Sequence, residues 1–105
     1  MTRRFREKML AALECLAVRE GDVRERLKGA HLQLMRLDRR DIPAEHREEI
    51  ASILSECTRY GPELFADGTP YRSALDHTMR RIRRATGRQI ASRIFTLAIR
   101  VTGQN

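Results

Sequence analysis

The chain has 105 residues, of which 41% are hydrophobic and 33% charged, the make-up of a single folded domain rather than a disordered segment. Its net charge of +7 favours nucleic acid, acidic protein or an anionic membrane surface as partner. Its two cysteines, Cys15 and Cys57, are too few for a disulfide framework, and no apolar run reaches the roughly 20 residues of a membrane span.

At the N-terminus a basic MTRRFREK precedes an apolar MLAALECLAV, the outline of a secretory signal. Glu7 and Glu14 interrupt that outline, and VREGDVRER comes after it without a small-residue cleavage site. A cytoplasmic protein with buried free thiols is therefore expected. Read as structure, Thr2 caps a helix over residues 3–19, with Phe5, Met9, Ala12, Leu13 and Leu16 on one face and Gly21 as its stop. Asp22 opens a second helix over 23–37, and Asp22 with Glu25 has the spacing of a capping box with the acid in place of Ser or Thr. Its stripe is Val23, Leu27, Ala30, Leu34 and Leu37, with Gly29 and Ala30 open to close approach by a neighbour. The connection is so short that the two helices must form an antiparallel hairpin.

Residues 38–41 read as a polar turn, and Ile42 before Pro43 is pushed into extended backbone. Pro43 then starts a third helix, to residue 59, that buries Ile50, Ile53, Leu54 and Cys57. Glu45 near its start suits the positive end of the helix dipole. Tyr60-Gly61-Pro62 stops it, and residues 61–69 form the longest loop, with Leu64 and Phe65 expected against the core. No alternation of β-branched and polar residues is long enough to predict a strand.

The remaining stretch carries the charge. Residues 1–68 hold 13 Lys/Arg and 13 Asp/Glu, whereas residues 69–105 hold eight Arg and one acid, Asp76. Thr69 as N-cap and Pro70 in the first turn predict a helical element over 70–85, continued over 88–101. Its apolar stripe is Tyr71, Leu75, Met79, Ile82, Ile90, Ile94, Leu97 and Val101. A straight helix of that length would run about 48 Å, far beyond the earlier helices. A break or kink is therefore expected near Gly87, which suits a helix C-terminus, with Thr86 as a cap for a second helix. On a helical wheel Arg80, Arg81, Arg84 and Arg88 share an arc with His77, opposite Leu75, Met79 and Ile82. Those four arginines are the candidate anion-binding residues; Ile90, Ile94, Phe95 and Leu97 are the candidate core or interface residues. The competing reading of the basic arc is a face that is merely solvated, or paired with acids from the N-terminal half.

Signals for catalysis fail on spacing. His31, His46 and His77 each lack a Cys or second His three or four residues away, and His46 reads as a surface residue. There is no nucleophile elbow, phosphate-cradling glycine loop or dinucleotide fingerprint. Residues 86–94 resemble the first helix of a helix–turn–helix at Ile90-Ala91, but Phe95 stands where the turn glycine belongs. Aromatic residues for stacking single strands are nearly missing from the basic arc.

The expectation is an all-α bundle of four or five helices forming a single domain, residues 1–105. It is expected to be non-enzymatic, without cofactor or metal and with no small-molecule substrate. Nucleic acid contacted through its backbone leads as the partner. An acidic protein, or a homodimer through residues 90–101, is the alternative. An anionic membrane surface ranks last, because the core needs the residues opposite the arginines.

Overall fold

The computed structural model describes residues 2–103. Among them five α-helices form a small bundle: α1 (Arg3–Val18), α2 (Val23–Met35), α3 (Ala44–Cys57), α4 (Ala74–Arg81) and α5 (Arg84–Thr102). A 3-10 turn (Arg39–Asp41) joins α2 to α3, and a short antiparallel ribbon, β1 (Glu63–Leu64) with β2 (Pro70–Arg72), precedes α4. The all-α expectation and the N-terminal hairpin hold.

Caps account for most helix starts. The Thr2 hydroxyl accepts from the Phe5 amide, and the Asp22 carboxylate accepts from the Arg24 amide at 2.8 Å. Glu25 does not complete the expected box with Asp22; it turns outward to Lys28, 3.1 Å away. A reciprocal box forms instead between Asp38 and Asp41 at the 3-10 turn. Gly21, at φ +96°, turns the chain between α1 and α2.

The core is one cluster. Phe5, Met9 and Ala12 of α1 meet Leu27, Ala30 and Leu34 of α2, Ile50, Ile53 and Cys57 of α3, and Ile90, Ile94, Leu97 and Val101 of α5. Gly29 permits the α1–α2 contact, since a Cβ there would lie 3.1 Å from the Cys15 sulfur. Helix α2 is central and touches the other four helices.

Three expectations need correction. First, Pro70 does not begin a helix: residues 70–72 pair with β1, and Ser73 caps α4 by accepting from the Asp76 amide. Thr69 instead bonds to Asp67 within the ribbon's turn, so Tyr71 leaves the core stripe and is exposed. Second, the break in the basic element lies at Ile82-Arg83, ahead of Gly87. Both residues are extended with negative φ, so no glycine is required. Ile82 is buried, and its carbonyl accepts from the Arg24 guanidinium at 3.2 Å, which satisfies the end of α4. Third, Leu64 and Phe65 stay off the core, at 52% and 55% exposed. Phe65 packs on Tyr71 across the ribbon at 4.6 Å between ring centres.

Candidate functional site

The corner where α4 meets α5 gathers five arginines within nine residues of sequence: Arg80, Arg81, Arg83, Arg84 and Arg88. All five are exposed. The break at Ile82-Arg83 divides them, so the single helical arc expected from the sequence does not form. Arg80 and Arg81 end α4, while Arg84 and Arg88 lie one turn apart on α5. The corner is anchored from beneath by Met79 and Ile82, buried between α2 and α3, and by the Arg24 bond to the Ile82 carbonyl.

Compensation is sparse. Asp76, the lone acid of the C-terminal third, is held by Lys28 of α2 at 3.3 Å. Asp22 reaches Arg84 at 3.6 Å, but its main partner is Arg24, at 2.8 Å. Those hydrogen bonds from Arg24 hold the Asp22 carboxyl far below the usual carboxylate range, so it is ionised at any physiological pH. Arg81 lies over the Tyr60 ring, 4.4 Å from its centre, with Arg59 also over that ring at 5.2 Å. Sequence reasoning missed Tyr60, which brings an aromatic edge to the basic corner. Its only signal was position, since it lies in the turn just after α3, the helix that packs beside α4. Arg80, Arg83 and Arg88 form no ion pair with the described residues.

The other candidates divide by face of α5. Ile90, Ile94 and Leu97 are core residues, whereas Phe95 is 52% exposed and packs on the outer side. The histidines are structural. His77 donates from Nδ1 to the Gly61 carbonyl at 2.9 Å, since a carbonyl can only accept. His46, expected at the surface, is 7% exposed and stacked on Phe5 at 5.8 Å; the core above α3 is wide enough to take its ring. His31 is equally buried, and burial lowers its pKa. Burial also pushes the Cys57 thiol up to about 12, which keeps it protonated. No group of three or more His, Cys, Asp or Glu among the described residues is arranged to hold a metal ion.

A cleft of about 570 Å³ lies between α3 and α5, with Glu45, Glu48 and Glu49 on one wall and Arg93 and Arg100 on the other. One ion pair crosses it: Arg93 binds Glu49 at 2.9 Å and also donates to Ser52 at 2.9 Å. No described helix is long and apolar enough to cross a membrane. The chain matches no protein-family model, no curated protein and no solved structure.

Proposed function

We propose that this is a small non-enzymatic binding protein whose α4–α5 corner engages an anionic partner, and that the partner is nucleic acid held through its backbone. One observation carries the reading. Five exposed arginines crowd one corner, and among the described residues a single carboxylate, Asp22, lies within ion-pair range of any of them. Like charges held so close repel, and a polyanion relieves that repulsion while releasing its own counterions. Guanidinium groups suit the task because they can grip phosphate oxygens in pairs. Contacts of this kind set position without reading bases, so low sequence preference follows. The Tyr60 ring, with Arg81 and Arg59 over it, holds Arg81 at the corner.

The test is fluorescence anisotropy of the chain with a labelled duplex and a labelled single strand, each at about 50 and 200 mM salt. Binding is expected to weaken by orders of magnitude across that range and to vanish when Arg80, Arg81, Arg84 and Arg88 are all replaced by Ala, with helicity unchanged. No binding to either probe at the lower salt overturns the reading.

A further inference from the structure

An apolar surface left open by the fold lies between α1 and α5. Helix α5 buries Ile90, Ile94, Leu97, Ala98 and Val101 and carries a second stripe, Ala91, Phe95 and Ile99, at helical spacing. Phe95 and Ile99 are 52% and 49% exposed. Helix α1 repeats the pattern with Leu10, Leu13 and Ala17 beside its buried face. The two helices run antiparallel. Arg6 reaches the Thr102 carbonyl at one end, and Leu16 and Ala17 share a groove with Arg88 and Ala91 at the other. Leu13 and Ala17 of one stripe and Ala91 and Phe95 of the other line, with Val23, a groove of about 450 Å³, and Leu10 and Ile99 continue the stripes outside it.

Its charge is one-sided. Arg26 and Arg88 line the groove, and no carboxylate among the described residues does. Arg26 is half-buried; its Nη1 donates to the Leu16 carbonyl at 2.6 Å, while its Nε is buried without a hydrogen-bond partner. A partly desolvated guanidinium lacking a counter-ion raises the free energy of the unbound chain. A carboxylate brought from outside relieves it. A second copy of this chain would bring the same two arginines, and no groove carboxylate, to the interface.

We propose that the α1–α5 groove is the docking site for an acidic amphipathic helix of another protein. That helix lays its apolar side chains between the two stripes and sets a carboxylate against Arg26 and Arg88. The open stripe from Ala91 to Ile99 rises about 12 Å, room for anchors spaced i, i+4 and i+7 on the incoming helix. The site is distinct from the α4–α5 corner; only Arg88 borders both.

The probe is a labelled synthetic helix of about 18 residues, five turns, with Leu at the anchor positions and Glu on both flanks. Its control carries Lys in place of each Glu. The full chain is expected to bind the Glu peptide and to bind the Lys peptide at least about tenfold more weakly. Phe95→Glu and Ile99→Ser, both on the outer face, are expected to abolish peptide binding with the helical spectrum intact and nucleic-acid binding unchanged. Arg26→Gln is expected to weaken it by about thirtyfold or more, as for loss of one partner in a desolvated pair, and the exposed Arg88→Gln to weaken it less. Failure of the Glu peptide to bind, or equal binding by Phe95→Glu, overturns the proposal. So does sedimentation of the wild type as a dimer that Phe95→Glu dissociates, which would make a second copy the occupant.

Discussion

Gly87 shows how one residue type can serve two different purposes. Its position in the sequence suits a helix stop, yet it sits inside α5 with ordinary helical backbone. What it provides is proximity: a Cβ there would lie 3.0 Å from a Val23 methyl and 3.3 Å from Arg24 Cγ. Glycine in a helix interior costs about 1 kcal/mol relative to alanine, so close packing on α2 must offset that. Gly87→Ala is expected to change stability little, its propensity gain offset by the tight contact. Gly87→Leu is expected to cost about 1–3 kcal/mol, measured by urea denaturation, because it drives the α2–α5 pair apart. Equal stability of Gly87→Leu and wild type would show that the helices can separate freely there. The arginines present the opposite case. Their identity and number were legible in the sequence, but whether acids from the N-terminal half reached them was not. Lys28 takes Asp76 and Arg24 takes most of Asp22, and only folding could decide either pairing.

At the scale of elements, the stretch before α4 separates competing signals. Thr69-Pro70 and Ser73-Ala74 are both reasonable helix starts, and the sequence favours the first because of its proline. The ribbon decides otherwise, since Pro70–Arg72 pair with Glu63–Leu64 and an ion pair joins Arg72 to Glu63. Strands of two and three residues are too short to leave any periodic trace, which is why the sequence reads as loop there. The cap assignment can be tested directly. Ser73→Ala is expected to cost about 1 kcal/mol and to speed hydrogen exchange at the amides of Asp76 and His77. Thr69→Ala is expected to leave those amides protected, because its bonds go to Asp67. Comparable fraying in both variants would place the helix start elsewhere. The break at Ile82-Arg83 obeys similar logic. Met79 is buried just ahead of it and Ile82 within it, and that apolar contact offsets the backbone bonds lost at the junction.

At the scale of the molecule, the fold measures 51 × 28 × 17 Å. With helix axes 8–10 Å apart, its thinnest dimension holds about two helix layers. Helices in so thin a slab keep an outer side, so α5 has room for both a buried stripe and an exposed one. Stability should fall as the medium is acidified, in two stages. Burial depresses the His31 pKa below 6.5, so the unfolded chain binds the extra proton first and the native state loses stability as pH falls through about 6.5. The second stage belongs to carboxyls that folding depresses: Asp22 through Arg24, Glu63 through the Tyr71 hydroxyl and then Arg72, and Asp67 through Thr69. Their contribution is present above about pH 4 and is lost below it. Thermal denaturation followed by circular dichroism from pH 7.5 to 3 is expected to show Tm falling in both ranges. His31→Gln is expected to remove the first stage alone. A flat Tm between pH 7 and 5 in the wild type would mean that His31 takes up its proton without penalty.

The helical class, the hairpin of α1 and α2, the core stripes of the first three helices and the concentration of charge after residue 69 were all legible in the order of residues. These are local matters of periodicity, caps and counts, and each is readable within a few turns of chain. Where the last helical stretch breaks, which arginines keep a counter-ion, which histidines are buried and which face of α5 stays open emerged with packing. Each of those depends on groups far apart in sequence, such as Arg24 on the Ile82 carbonyl, Lys28 on Asp76, or Phe5 against His46. Their pairing is set by competition for space and charge within one shared core, which no single segment records.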